Sequence, residues 1–371
     1  MSTTPALLYK KNIAHQEAEN SNNSRRKDRN LKKDRLKKDR WLRTRMLVQV
    51  FFVGLSVWIC WEFVLFTRAL RSDAAVSLSQ RPPGVEGFLP ISSLMELWLF
   101  LKSGIAPHIH PAGVVIISFA IGTALLLRRG FCSWLCPVGT ISEFFTRVGV
   151  KLGVSLRPYK WIDIPLRSLK YLLLAFFLYA ILGMSTAALY GFITGDYNRV
   201  SDIKMLDFFA HPDRMTFSVL GILALLTLLI KNFWCRYLCP YGALLGLLSR
   251  LSPMAITRNT DTCIDCDKCD KVCPSFLPVA TSKSVRSEEC LACHQCTEIC
   301  PVADCLQFTT PKKRLNLTPV YYGAVFVLLF LGIFGIAKIS GYWQGKTAIE
   351  EYRELSKISE SLSHPRSLDG Y

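Results

Sequence analysis

The chain has 371 residues, half of them hydrophobic, and a formal net charge of +17. A chain this apolar is not a simple soluble domain; it has room for several membrane spans plus one small domain. Its Lys and Arg gather in a polar N-terminal arm and beside apolar stretches, which fits a membrane orientation signal and argues against nucleic acid as a partner.

Residues 1–45 form a basic arm with 14 Lys or Arg. It reads as a solvated cytoplasmic segment that touches anionic membrane lipid. The polar run before the first apolar stretch is too long for a signal peptide. Five apolar stretches then predict five transmembrane helices: Met46–Thr67, Pro111–Leu127, Tyr171–Thr194, Met215–Ile230 and Val320–Ile339. The loop 128–170 holds eight Lys or Arg, against four in 68–110 and two in 195–213. The bias puts the N-terminus and the cysteine-rich segment inside and the tail outside. The expected units are the arm 1–45, a four-helix membrane unit 46–254, a cysteine-rich domain 255–316, a fifth helix within 317–340 and an outer tail 341–371.

The chain has 14 cysteines. Cys263, Cys266, Cys269 and Cys273 form C-x2-C-x2-C-x3-C followed by Pro274. Cys290, Cys293, Cys296 and Cys300 repeat the pattern before Pro301. Zinc motifs show pairs instead of triplets with a distant fourth. Soft thiolates at this spacing point to two [4Fe–4S] clusters, with the fourth cysteine of each run serving the other cluster. One cluster is then expected on Cys263, Cys266, Cys269 and Cys300. The other takes Cys290, Cys293, Cys296 and Cys273. Cys305 reads as a buried thiol, His294 as a residue behind the ligands or on the surface, and Cys60 as packing. No nucleophile–base pair or phosphate loop accompanies the motifs, which favours electron transfer over group transfer.

A second cysteine pattern is duplicated. Cys132, Cys136 and Pro137 form C-x3-C-P, and Cys235, Cys239 and Pro240 repeat it 103 residues later. At the same offset His108 pairs with His211, Leu125 with Leu228 and Arg147 with Arg250. The membrane helices therefore read as two parallel two-helix repeats, each pair of cysteines at the cytoplasmic end of a helix. Ile141, Phe144, Phe145 and Val148 follow with the spacing of an interfacial helix. The four cysteines allow a shared metal or iron–sulfur centre, thiol–disulfide chemistry within each pair, or plain structural packing. His108 and His211, near the opposite membrane face, are candidates for a quinone or haem site, or ordinary interfacial histidines. Glu62 is an intramembrane acid and joins them as a candidate.

Two C-x3-C-P motifs followed by two ferredoxin runs resemble the NapH/NosR-type membrane polyferredoxins over about residues 45–310. The resemblance implies a quinol-dehydrogenase-like membrane subunit of the bacterial inner membrane. It implies a redox role for Cys132, Cys136, Cys235 and Cys239, and electron exchange with quinone and with partner redox subunits, such as a periplasmic cytochrome or iron–sulfur protein. The long basic arm and the fifth span depart from the shorter members. The expected fold is an all-α membrane bundle carrying an inserted α+β ferredoxin domain. The competing function is a metal-centre assembly or metal/thiol reductase factor.

Overall fold

A computed structural model describes residues 44–72, 81–310, 315–359 and 361–362. Most of the basic arm and the last residues of the tail lie outside them. Arg45, the end of the expected arm, belongs to the first helix and is buried.

The chain is mostly helical. Helix α1 (Thr44–Arg71) leads to α2 (Pro90–Ser103) and α3 (Pro111–Leu127). A short turn, α4 (Phe131–Trp134), and α5 (Pro137–Lys151) follow. Next come α6 (Lys160–Leu182), α7 (Thr186–Thr194), α8 (Asp196–Arg199), α9 (Ser201–Ala210) and α10 (Arg214–Leu229). Helix α11 (Pro240–Ser249) enters the cysteine-rich domain. There β1 (Ala255–Arg258), β2 (Ser284–Val285) and β3 (Leu306–Thr309) alternate with α12 (Lys268–Val272) and α13 (Gln295–Ile299). Helices α14 (Pro319–Ile339) and α15 (Ile349–Lys357) end the described chain.

Among the described residues α1, α6 and α14 are long and apolar enough to cross a membrane, and α9 with α10, bent by 82°, adds a fourth candidate. Helix α3 has 17 residues, or about 25 Å at 1.5 Å per residue, short of a hydrocarbon core of about 30 Å. The third apolar stretch is divided differently from the expectation. Its helix starts at Lys160, carries Pro165 inside it, and stops at Leu182. Gly183 follows, and the Ser185 hydroxyl caps α7 by accepting from the Ala188 amide.

Amphipathicity is inverted in α5. Ile141 and Phe144 are exposed, while Ser142, Glu143, Thr146 and Gly149 are buried. Its polar face packs on the protein and its apolar face points outward, as an interfacial helix requires. Gly149 lets α5 lie against α10, since a Cβ there would sit 2.0 Å from the Leu228 carbonyl oxygen. Cys60 is exposed, so it does not fill a core.

The cysteine-rich domain is α+β. Its sheet has the order β2-β1-β3 and is antiparallel, with Ile256 opposite Val285 and Phe308. It packs on the start of α14, where the Phe308 and Tyr322 rings lie 5.3 Å apart, and on the loop after α3, where Arg128 donates to the Met254 carbonyl at 3.3 Å and the Ser287 carbonyl at 2.6 Å. His294 is buried there among Trp134, Phe308 and Tyr322, not on the surface, and burial pushes its pKa down to about 3. At the other end, Tyr352 and Leu355 of α15 pack with Phe66, Val85 and Val200.

Candidate iron–sulfur and membrane thiol site

The two ferredoxin runs fold as near copies, 27 residues apart. Asp265 and Ala292 have φ of 49° and 47°, and Asp267 and His294 have φ of 54° and 60°. Left-handed residues in a cysteine loop can turn backbone amides toward one concavity, which suits an anionic group. Cys263, Cys266, Cys269 and Cys300 line one cavity. Cys273, Cys290, Cys293 and Cys296 line another. The last cysteine of each run thus faces the cavity of the other run. Among the described residues no three Cys, His, Asp or Glu side chains meet at single-ion distance. Four thiols spread around a cavity suit a cubane, in which each thiolate takes its own iron. Burial pushes the Cys293 thiol up to about 12 and the Cys269 thiol up to about 11. Such groups need a cation or a bound metal to ionise. Cys305 is buried, donates to the Asn259 carbonyl at 3.6 Å and borders the first cavity.

Each C-x3-C-P motif is a break between helices. Cys132 lies in the turn α4, while Cys136 is extended (φ −62°, ψ 119°) and begins α5. Cys239 (φ −78°, ψ 105°) begins α11 in the same way, after a wide π turn at Trp234–Leu238. The second cysteine therefore sits at a helix start and not, as the sequence suggests, at a helix end. Proline at the first helical position is the cause: it holds the residue before it extended and is itself ready for a helix. The Gly242 amide donates to the Cys239 sulfur at 3.2 Å.

The four thiols are free, and thiols of one repeat raise the pKa of thiols of the other. Burial first, then Cys132 and Cys239, push the Cys136 thiol up to about 12. Cys235 is pushed well up by burial and by Cys239, Cys136 and Cys132. A further cavity is bordered by Cys132 and Cys235 of these motifs and by Pro274 and Cys293 of the ferredoxin domain.

The residues inside the motifs dock that domain, a role their sequence does not announce. From the first motif, the Ser133 hydroxyl donates to the Leu291 carbonyl at 2.7 Å and the Trp134 indole to the Ala292 carbonyl at 3.2 Å. From the second, Arg236 donates to the Ser275 carbonyl at 2.7 Å and is held by Asp163 at 2.8 Å. Leu291 and Ala292 lie between Cys290 and Cys293, and Ser275 lies two residues after Cys273. Both motifs therefore rest on the cavity lined by Cys290, Cys293, Cys296 and Cys273. A buried network ties α1 and α5 to the same place. Glu143 accepts from Arg45, from Gln49 at 2.9 Å, from Arg147 at 2.8 Å and from Gln295 at 2.8 Å.

The candidate quinone or haem residues are not brought together. Glu62 and His211 are exposed, and His108 is half-buried with its ring near the Ala106 carbonyl, 3.3 Å away, and near Tyr190. The buried polar residues of that end are others. Glu96 accepts from the amides of His108, Ile109 and His110 at 2.9–3.0 Å, and Glu86 from the Gly113 amide at 3.0 Å. These carboxylates satisfy the open amides at the start of α3. Arg81, His110 and Asp202 complete the cluster.

The model of a 4Fe–4S binding domain matches twice, over residues 109–155 and 215–259, and that of a 4Fe–4S dicluster domain matches residues 255–301. YccM of Escherichia coli strain K12, named for electron transport, is 40% identical over 326 residues, which is 86% of this chain and 91% of that protein. The methylamine utilization ferredoxin-type protein MauN of Paracoccus denitrificans is 30% identical over half of this chain and 63% of its own length. The ferredoxin-type protein NapH of E. coli strain K12 is 25% identical over 63% of this chain and 75% of its own length. No solved structure matches. The duplicated thiol motifs, the paired cysteine cavities and these relatives agree: the chain belongs to the NapH/NosR-type membrane polyferredoxins, an electron-transport family.

Proposed function

We propose that the chain is a membrane-bound electron-transfer subunit that exchanges electrons between the quinone pool and partner redox proteins. In this reading Cys263, Cys266, Cys269 and Cys300 hold one [4Fe–4S] cluster, and Cys273, Cys290, Cys293 and Cys296 hold a second. Cys132, Cys136, Cys235 and Cys239 hold a third iron–sulfur centre between the two membrane repeats. Such groups supply one-electron storage; the protein's part is to hold them near one another and dry. The observation that carries the reading is the docking of both C-x3-C-P loops on the backbone of the second cluster's ligand segments. That contact supports a wire from the membrane thiols to Cys290–Cys296 and on to Cys263–Cys269.

The arrangement in the membrane is part of the same reading. Five helices cross it as two parallel repeats plus α14, with the ferredoxin domain on the cytoplasmic side of a bacterial inner membrane and α15 outside. The partner is a redox subunit that meets the exposed first cluster, or one on the outer face. Anaerobically purified protein is expected to hold about eight iron atoms in the ferredoxin domain and about four more at the membrane thiols. The excess should vanish in Cys132→Ser and in Cys235→Ser. Zinc in place of iron at the ferredoxin cysteines would overturn the reading, and iron limited to about eight atoms would remove its third centre.

A further inference from the structure

Arg129 immediately precedes the first C-x3-C-P loop, and it is 1% exposed. Its guanidinium lies beside the Cys132 and Cys239 thiols, one from each repeat, and donates to the Cys235 carbonyl at 3.2 Å. Its Nε is buried with no hydrogen-bond partner. The helix opposite makes room for it. A Cβ on Gly242 would sit 2.4 Å from Arg129 Nη2, and one on Gly246 would sit 3.7 Å from Nη1. Those glycines lie one turn apart on α11, so the guanidinium occupies a groove cut into that helix.

The charge is not cancelled locally. Glu289 stands 3.8 Å from Arg129, but Lys170, itself fully buried, holds both Glu289 carboxylate oxygens at 2.6 and 2.7 Å. The Tyr171 hydroxyl adds a bond to it at 3.1 Å. The nearby Arg236 is paired with Asp163, which Arg167 shares, so that carboxylate has no charge to spare for Arg129. Two cations and one carboxylate leave one buried positive charge facing the thiols. The second repeat has no copy of it. The residue 103 positions on from Arg129 is Asn232, whose side-chain oxygen accepts instead from Ser142 and Thr146.

We propose that Arg129, backed by the Lys170–Glu289 pair, is a positioning residue that raises the reduction potential of the centre on Cys132, Cys136, Cys235 and Cys239. The inference rests on the reading that these thiols hold an iron–sulfur centre. Reduction adds one negative charge to a thiolate-bound centre. A fixed buried cation favours that state, and more so where water does not screen it.

The test is a redox titration of the full chain in detergent or nanodiscs, followed by electron paramagnetic resonance with iron counted in each sample. In Arg129→Met one signal, the one absent from Cys132→Ser, should titrate lower by at least tenfold in its reduced-to-oxidised ratio, about 59 mV for a one-electron couple. Arg129→Lys should keep most of the wild-type value with the same iron. Lys170→Met should shift the same signal in the same direction, because Glu289 then neutralises Arg129, and it serves if Arg129→Met does not fold. Unchanged potentials with about twelve iron atoms would overturn this inference alone. Equal iron loss in Arg129→Met and Arg129→Lys would reduce the residue to packing and overturn it too. A wild-type protein with about eight iron atoms would overturn the third centre and this inference with it.

Discussion

At the residue scale the fourth cysteine of each ferredoxin run decides the wiring. Cys273 follows the first triplet in sequence but borders the second cavity, and Cys300 does the reverse. Cys273→Ser should therefore alter the same spectral signal as Cys293→Ser, and Cys300→Ser the same one as Cys266→Ser. Pairing by sequence run, with Cys273 grouped with Cys266, would contradict the interleaving. Glycines make an equally local statement. A Cβ on Gly139 would meet the Cys132 carbonyl oxygen at 2.0 Å, and backbone cannot swing aside. Gly139→Ala should cost about 1–3 kcal/mol and lower the unfolding temperature. Gly54→Ala is the contrast. Nothing lies within 4 Å of its added methyl, and mid-helix it should stabilise by about 0.5–1 kcal/mol.

At the element scale, α5 works as a clamp. Its outer face exposes Ile141 and Phe144, while its inner face carries Glu143, on which α1 and the ferredoxin domain converge. Arg45 is buried, so removing its partner strands a charge. Glu143→Gln should destabilise by about 3–5 kcal/mol in a denaturant titration, far more than loss of a surface ion pair. The clamp also has a pH signature. Burial would push the Glu143 carboxyl up, but Arg45 and Arg147 outweigh it and hold it below the usual range. Glu289 is likewise held low by Arg129 and Lys170 against its burial. A depressed folded pKa means the unfolded chain binds protons first as pH falls. The stabilisation is therefore full above the unfolded value of about 4.3 and drains away as pH falls below it. Thermal unfolding in detergent should show a steep loss of stability below about pH 4, and a shallower one in Glu143→Gln. An equal slope in both proteins would remove Glu143 from the account.

At the scale of the whole molecule, contacts sort the chain into two ends. One end holds every Cys cavity together with the start of α1, the end of α3, the end of α10 and the start of α14. The other holds Glu86, Glu96, His110, Asp202 and α15. Reporter fusions after Thr310 and at the C-terminus should give opposite signals if α14 crosses the bilayer. Like signals would mean that it does not cross and would undo the five-crossing reading. The separation also bears on the quinone residues. His108 lies beside Glu96 and Tyr190 at the second end, and Glu62 is exposed next to Phe63, which packs there, so His108→Ala and Glu62→Gln should leave the iron spectra unchanged.

The sequence by itself determined the covalent logic of this protein. Thiolate spacing grouped the ferredoxin cysteines by cavity, because an iron–sulfur loop needs three ligands within a few residues of one another. Apolar length marked α1 and α14 to within a few residues, because a helix that crosses a bilayer needs about 20 predominantly apolar residues. The 103-residue offset exposed the second pair of motifs. Tertiary structure decided the rest. Only packing shows that Cys136 and Cys239 open helices, that Ser133, Trp134 and Arg236 dock the ferredoxin domain, and that His294 is buried. In sequence Arg129, Lys170 and Glu289 read as charges flanking spans or cysteines, the pattern that sets orientation. Their meeting beside four thiols joins the loop after α3, helix α6 and the turn before Cys290, with Lys170 and Glu289 119 residues apart in sequence, and a buried charge is recognisable only once its partners are in place.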